Sequence, residues 1–258
     1  MKATSDAGSL QLVPNTLDFG TPGELARLDE LLPLGVIRTA SRLQHWVCEN
    51  AKTTRAFLKR VDAVCPLQRP LQELSIVELP RPRKGNAEQA VIDVGALLAP
   101  ALQGHDLGLL SEAGLPALAD PGAALVAAAH SAGVRVVVLP GASSIALALA
   151  ASGLNGQSFA FVGYVPVPAE ERAARHLLQG SDSRRDGQTQ LVIETPYRNA
   201  ALLEALLAHL RPTTTLSVSA GLSLAQARTR SDRVSVWRQQ PTKLAADLPA
   251  VFAFLAER

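Results

Sequence analysis

The stretch LGLLSEAGLPALADPG, Leu107–Gly122, joins an apolar strand to an alanine-rich helix through a heavily constrained loop. Glycine permits left-handed backbone that other residues avoid, and proline fixes φ, so Gly114, Pro116 and Pro121 restrict the path of the chain. Asp120 and Pro121 also suit the cap and first turn of the following helix. Because ligands of open α/β sheets bind beyond the carboxyl ends of strands, this stretch predicts a binding loop.

Strands and helices alternate on both sides of this loop, up to residue 156. The strands are apolar on both faces, which is typical of a mostly parallel, doubly wound sheet. The predicted strands are SLQLVP (9–14), GVIRTA (35–40), LSIVELP (74–80), DLGLLSE (106–112) and VRVVVLPG (134–141). The predicted helices are a segment from Glu24 onward, AKTTRAFLKRV (51–61), NAEQAVIDVGALLAPALQG (86–104), DPGAALVAAAHSAG (120–133) and SSIALALAASGL (143–154).

The remaining segments have shorter, more closely spaced strands. Helices are predicted at AEERAARHLLQ (169–179) and NAALLEALLAHL (199–210), and a surface loop at GSDSRRDG (180–187). Strands are predicted at TQLVIET (189–195), TTLSVSAG (214–221), DRVSVWRQ (232–239) and AVFAFLAE (250–257). The chain is therefore expected to be α/β with two domains, an N-terminal α/β domain at residues 1–156 and a C-terminal α+β domain at residues 157–258.

The composition argues against several classes of protein. A net charge of +2 on 258 residues does not indicate the concentrated basic face of most nucleic-acid-binding domains. Cys48 and Cys65 are too few for a disulfide scaffold, which favours a reduced, cytoplasmic compartment. The five histidines form no zinc motif, so no metal site is expected. Neither a secretion signal nor a membrane span is predicted.

Familiar catalytic and nucleotide-binding motifs are missing from the sequence. It contains no GxGxxG after the first strand, no GxxxxGK[ST] and no GxSxG, so a dinucleotide site, a P-loop and a serine nucleophile elbow are unsupported. Four loops at strand ends remain: VPNTL, SEAGLPALADPG, LPGASS and IETPYRN. Gly114 and Gly141 are expected to let the backbone approach a ligand closely. Exposed backbone groups in such loops suit a ligand with an amino acid end and a ribose.

These loops resemble the tetrapyrrole methylases, a family of S-adenosylmethionine-dependent enzymes. The resemblance covers nearly the whole chain and is most specific in SEAGLPALADPG, LPGASS with LAASGL, and FVGYVP followed by ETPYRN. The order of these blocks is similar to the branch that methylates a ribose 2′-hydroxyl in ribosomal RNA of the small subunit. The resemblance implies two α/β domains with S-adenosylmethionine in the cleft between them, in a homodimer.

The resemblance also implies particular site residues. The implied cofactor-binding residues are Pro14, Ala113, Gly114, Leu115, Leu118, Ser143, Ser144, Glu194 and Leu222. The implied substrate-side residues are Glu49, Asn50, Lys52, Tyr197 and Arg198. No general base is identified, and the candidates for a catalytic role are Glu49, Lys52, Arg55 and Glu112.

Two departures from the ribosomal RNA branch bear on the substrate. That branch has EDTRxT after its second strand, where this chain has ENAKTT, Glu49–Thr54. Its members also carry a C-terminal extension beyond the last strand, where this sequence ends at Arg258. The first hypothesis is therefore a methyltransferase acting on ribosomal RNA. The second is a methyltransferase acting on a tetrapyrrole or other small molecule, and the third is a cofactor-binding protein without transfer activity.

Structural interpretations stand beside these functional ones. Glu49 and Lys52 either form a surface pair at a helix start or face the substrate. Tyr197 and Arg198 either cap the following helix or pack between the domains, or they lie near the substrate or cofactor. Glu112 is either a solvated carboxylate or a substrate-side group. Asp120–Gly122 are expected mainly to start the helix, and His45 and Trp46 mainly to pack.

Overall fold

Parallel strands in the first half of the chain form one five-stranded sheet. The computed structural model describes residues 7–18, 25–80, 94–165 and 180–257. The elements are β1 (Ser9–Leu12), α1 (Leu28–Leu31), α2 (Leu34–Arg42), β2 (His45–Cys48), α3 (Ala51–Val64), β3 (Ser75–Glu78), α4 (Ala99–Leu102), β4 (Leu107–Leu110), α5 (Ala123–Ser131) and β5 (Arg135–Val138). The strand order is β3-β2-β4-β1-β5, and every neighbouring pair is parallel. The predicted parallel sheet is confirmed.

This strand order creates a switch point between β2 and β4. From β2 the chain passes to β3 on one side, whereas from β4 it passes to β5 on the other side. Loops that leave two neighbouring strands in opposite directions open a crevice beyond their carboxyl ends, where ligands of such sheets bind. The loop Ser111–Gly122 follows β4, so it borders this crevice.

Helices cover both faces of the first sheet. On one face Trp46 of β2 lies in a buried cluster with Leu58 of α3. On the other face Leu109 of β4 lies in a second cluster with Leu125 and Ala129 of α5. Gly108 lies between these layers, and a Cβ on it would be 2.6 Å from Cε3 of Trp46. The missing side chain therefore lets the indole ring cross β4.

One predicted strand of the first half is wrong. GVIRTA lies inside helix α2, and the strand that the prediction sought is His45–Cys48. Val36, Ile37 and Ala40 are all buried, a spacing that places them on one face of a helix. A short apolar run does not distinguish a buried strand from a buried helix turn. Trp46 is buried, as expected for a packing residue.

The second half of the chain forms a mixed sheet. Its elements are α6 (Ser144–Ser152), β6 (Phe159–Tyr164), α7 (described residues 180–186), β7 (Thr189–Ile193), α8 (Asn199–His209), β8 (Thr215–Ala220), β9 (Arg228–Arg233), α9 (Val234–Gln239) and β10 (Ala250–Leu255). The strand order is β6-β7-β10-β8-β9, in which only β6 and β7 are parallel. The α/β fold class is thus confirmed, with antiparallel pairing in the second sheet.

Two further predictions in this half are wrong. GSDSRRDG was expected to be a loop, but residues 180–186 are helical. DRVSVWRQ was expected to be a strand, but β9 ends at Arg233 and α9 follows it. Val234 and Trp237 are both buried, so the helical spacing of two apolar residues determines this segment. The helix predicted at 169–179 and most of the one predicted at 86–104 lie outside the described residues.

Two compact units divide the described chain before Ser143. Helix α6 belongs to the second unit, because Ile145 and Leu149 pack with Leu191 and Val251. The boundary inferred from the sequence lies after residue 156, at the end of the alternating pattern. Within the described ranges, no helix combines the length and apolar character that spanning a membrane requires.

Replacing Gly108 tests the packing of the first unit. Gly108→Ala places a methyl group against the buried Trp46 ring, so the free energy of unfolding should fall by about 1–3 kcal/mol. Gly35→Ala is the matched control, since Gly35 lies in α2 with open space around its Cβ position. That variant should gain about 0.5–1 kcal/mol from higher helix propensity. Urea unfolding measures both, and equal effects would contradict the packing of Trp46 across β4.

Candidate functional site

The loops that follow β1 and β4 are tied together by one buried side chain, Asn15. Its Nδ2 donates to the backbone oxygens of Ser111, at 3.1 Å, and of Glu112, at 3.0 Å. Its backbone N–H donates to the oxygen of Gly114 at 2.8 Å. Asn15 was not singled out from the sequence; the only signal was its place in the strand-end loop VPNTL.

A buried charge pair holds the next residues of the β1 loop. Asp18 is buried, and its carboxylate pairs with Arg60 of α3 at an Nη2–Oδ2 distance of 3.0 Å. Arg60 also donates to Oγ1 of Thr16 and to the backbone oxygen of Ala26, each at 3.1 Å. Thr16 in turn donates its hydroxyl hydrogen to Asp18. Helix α3 therefore supports the loop beside the switch point.

The loop after β4 holds four residues with left-handed backbone. Gly114 has a φ of 68° and Gly122 a φ of 130°, but Ala117 at 63° and Ala119 at 66° carry side chains. An alanine in this region costs about 1 kcal/mol relative to ordinary backbone. Strain of this kind persists where the surrounding structure fixes it, and it clusters at functional sites. The observed outliers therefore point to this loop as a binding element.

Two glycines have structural reasons of their own, and one expected cap is wrong. A Cβ on Gly141 would lie 2.2 Å from Cβ of Pro14, so glycine is needed there to make room for Pro14. A Cβ on Gly114 would make ordinary contacts, so its φ is what requires glycine. Asp120 does not cap α5, because the N-cap is Gly122 and no side chain bonds there. The actual helix begins two residues later than that prediction assumed.

Three carboxylates from two neighbouring strand ends form a cluster, Glu49, Glu112 and Asp120. Oε2 of Glu49 accepts a hydrogen bond from the backbone N–H of Glu112 at 3.2 Å. Burial, and next the charges of Glu49 and Glu112, raise the pKa of Asp120 to about 6. Ser111 opposes the rise, although its buried Oγ makes no hydrogen bond within 3.5 Å to a described group. The cluster concentrates negative charge at the edge of the switch point.

The start of α3 explains part of the segment that departs from the family pattern. Oδ1 of Asn50 accepts hydrogen bonds from the backbone N–H groups of Lys52, at 2.9 Å, and Thr53, at 3.4 Å. Asn50 is thus the N-cap that an aspartate would also provide. Glu49 precedes this cap and lies outside the helix, so it is not an i,i+3 helical partner of Lys52. Lys52 and Arg55 have exposed side chains.

The remaining predicted site residues lie in the second unit. Glu194 is buried and pairs with Arg198 at 2.7 Å, and its other oxygen accepts from the N–H of Thr195 at 2.8 Å. Arg198 therefore has a structural partner, whereas Tyr197 is 75% exposed. Ser143 is the N-cap of α6 without a side-chain capping bond, Ser144 begins that helix, and Leu222 packs on the cluster around Leu191. Their roles in binding stay predictions.

Among the residues that the structure describes, no three His, Cys, Asp or Glu side chains are arranged to hold a metal ion.

The carboxylate cluster changes how the stability of the fold depends on pH. The folded protein holds Asp120 with a pKa near 6, above the ordinary 3.8, so its ionised form is disfavoured in the fold. Stability from this group is present at low pH and is lost as pH rises through about 6.

Asp120→Asn should remove this loss. The melting temperature of the variant should match that of the parent near pH 4, and it should exceed it increasingly as the pH rises through about 6. Asp29→Asn is the control, because the hydrogen bond with Arg27 lowers the pKa of Asp29 below 3.8. The stability from Asp29 is lost only as the pH falls below that value, so this variant should show a nearly constant offset from the parent between pH 4 and pH 7. Melting curves across this pH range measure both. A constant offset between Asp120→Asn and the parent would contradict the raised pKa.

Comparison with known proteins identifies the fold around this site. Residues 29–235 match the sequence model of the family described as Tetrapyrrole (Corrin/Porphyrin) Methylases. The uroporphyrin-III-C-methyltransferase of Thermus thermophilus aligns with a TM-score of 0.52 at 22% identity, over 96% of this chain and 94% of that one. A cobalamin-synthesis-related protein (CobF) of Corynebacterium diphtheriae aligns with a TM-score of 0.57 at 16% identity, over 98% and 100%. At these identities, the structural likeness shows the fold alone.

Other relatives are more similar in sequence than these solved structures, and they carry a different name. The ribosomal RNA small subunit methyltransferase I of Halalkalibacterium halodurans is 29% identical over 202 residues, 78% of this chain and 60% of that protein. The protein of the same name from Streptococcus pyogenes is 31% identical over 207 residues, 80% and 62%. The chain thus spans about three fifths of the length of these relatives. Because the family model covers most of its length, the chain belongs to the tetrapyrrole methylase family.

Proposed function

We propose that this chain is an S-adenosylmethionine-dependent methyltransferase that modifies a ribose 2′-hydroxyl in ribosomal RNA of the small subunit. The observation that carries the proposal is the strained loop Ser111–Gly122 at the switch point of a tetrapyrrole methylase fold. The names of the curated relatives support RNA as the acceptor.

The residues at the switch point fit a methyl donor that has an amino acid end and an apolar portion. The buried Ser111 hydroxyl acts on the Asp120 carboxylate and makes no hydrogen bond within 3.5 Å to a described group, so a ligand that reaches it would compete with Asp120. Leu118 is 44% exposed, which leaves an apolar surface for a ligand to cover. The proposed donor contacts in this unit are Pro14, Ala113, Gly114, Leu115 and Leu118. Ser143, Ser144, Glu194 and Leu222 are the proposed contacts from the second unit.

The bound donor supplies a methyl group on a sulfonium, which is already a strong electrophile. The chain therefore has to orient the acceptor hydroxyl and take up its proton. A carboxylate is a more effective base when its pKa lies closer to the working pH, and Asp120 has the raised value of about 6. Within the cluster we propose Asp120 as the proton acceptor, with Glu49 and Glu112 maintaining its basicity.

An RNA acceptor fits the outer face of α3. Lys52, Arg55 and Lys59 are exposed and recur at helical spacing, so they form one basic stripe that starts beside Glu49. Contacts to phosphates position a nucleic acid without reading its sequence. This stripe compensates for the modest net charge that argued against nucleic acid. We further propose a cytoplasmic homodimer, in keeping with the family resemblance and a ribosomal substrate.

Labelled S-adenosylmethionine tests the acceptor directly. The protein is offered small ribosomal subunits, naked ribosomal RNA and tetrapyrrole precursors in parallel. We expect label in the RNA, at a ribose, and none in the precursors. Label in a tetrapyrrole would reject the RNA acceptor, and donor binding without transfer to any acceptor would identify a binding protein. Absence of donor binding would reject the methyltransferase proposal altogether.

Gly114→Ala tests the role of the loop in donor binding. The new methyl group meets only ordinary contacts, but the left-handed backbone costs about 1 kcal/mol. Any shift of the loop should weaken donor affinity, by roughly tenfold for a displacement well below 1 Å. Gly133→Ala is the matched control, since its φ of 72° imposes the same strain at the end of α5 with nothing nearby. Isothermal titration compares the two, and equal donor affinities would remove the loop from the site.

A further inference from the structure

A small cavity in the second unit is lined by basic and hydroxyl side chains. Its volume is about 140 Å³, and its polar lining consists of Ser181, Arg184, His209, Arg211 and Thr214. A water molecule occupies about 30 Å³ in the liquid, so the cavity has room for a compact polyatomic ion. The described residues that line it include no carboxylate.

The carboxylates of α7 form their ion pairs away from the arginine that lines this cavity. Arg185, the next residue of α7, pairs with Asp182 at 3.2 Å and with Asp186 at 2.7 Å. These pairs account for both acidic residues of the described part of α7. Arg184 forms no ion pair within 4.0 Å with any residue that the structure describes. Its guanidinium therefore contributes a positive charge to the cavity wall.

The carboxyl end of α8 would oppose an anion, because the last carbonyl groups of a helix carry partial negative charge. Arg238 of α9 compensates for these groups. Its Nε donates to the backbone oxygen of Leu207 at 2.8 Å, and its Nη2 donates to that of Leu210 at 3.0 Å. Arg211, the residue after Leu210, adds a positive charge at this helix end. The local potential thus favours an anion.

We propose that this cavity binds a phosphate group of an RNA backbone. Two guanidinium groups and two hydroxyls can donate several hydrogen bonds to one tetrahedral oxyanion, and arginine suits phosphate by its planar set of donors. Such a contact fixes the position of an RNA without reading its bases. The inference rests on the proposed function for the source of the phosphate, whereas the anion chemistry follows from the cavity itself.

The experiment measures RNA binding rather than methyl transfer. A labelled, short single-stranded RNA is titrated with the parent protein and with the Arg184→Ala, Arg211→Ala double variant over a series of salt concentrations. The variant should bind roughly tenfold more weakly at low salt. The slope of log affinity against log salt should become shallower by about 0.7, as expected for one lost phosphate contact. Inorganic phosphate at constant ionic strength should displace the RNA from the parent more effectively than from the variant.

Arg228→Ala is the matched control, because it removes an exposed arginine of the same unit that does not line the cavity. It should leave the slope nearly unchanged, and unaltered melting temperatures show that all variants fold. Equal slopes for the parent and the double variant would overturn the inference. The inference would also be overturned if the parent bound inorganic phosphate but the double variant bound RNA as tightly as the parent does. The cavity would then serve a free anion. If the double variant loses RNA binding as expected but the parent transfers no methyl group, only the proposed reaction is rejected.

Discussion

The switch point of the first sheet depends on a single buried amide. Asn15 leaves the end of β1 and satisfies two carbonyl groups just after β4, while its own N–H bonds to Gly114. These carbonyls have no place in the sheet ladder, and an unsatisfied buried carbonyl costs about 1–3 kcal/mol. The loops that follow β1 and β4 are thereby held in one arrangement. The ion pair of Asp18 with Arg60 extends the same support from α3.

Three carboxylates repel one another at the carboxyl ends of β2 and β4, an arrangement that does not favour stability. Glu49 and Glu112 belong to different strand ends and are 63 positions apart in the sequence, yet a hydrogen bond joins them. Their charges act on Asp120, which burial already disfavours as an anion. Groups with shifted pKa values cluster at functional sites, because catalysis needs them near the working pH. The basic stripe on α3 begins beside these acids, so opposite charges adjoin where an acceptor would be oriented.

The sequence predicts the parallel sheet and the loop after β4, because these follow from patterns within single segments. It fails at GVIRTA and DRVSVWRQ, where a few apolar residues fit a strand or a helix equally well and long-range packing decides. The interaction of Asn15 with the β4 loop depends on strand order, which no local pattern specifies. Likewise, the sequence spacing alone suggests that Asp120 is a helix cap. Asp120 lies near Glu49 because β2 pairs with β4, and spacing along the chain does not reveal that pairing.

Alanine, rather than glycine, stands at two of the left-handed positions of the β4 loop, Ala117 and Ala119. Glycine would adopt that backbone without strain, but it would also give the loop many other conformations of similar energy. Alanine prefers extended or right-handed backbone, so at a positive φ it costs more stability than its smaller unfolded-state entropy returns. The contacts around the loop have to hold both residues in place. The two methyl groups therefore identify a loop whose conformation is imposed by its neighbours and not by its own backbone preferences.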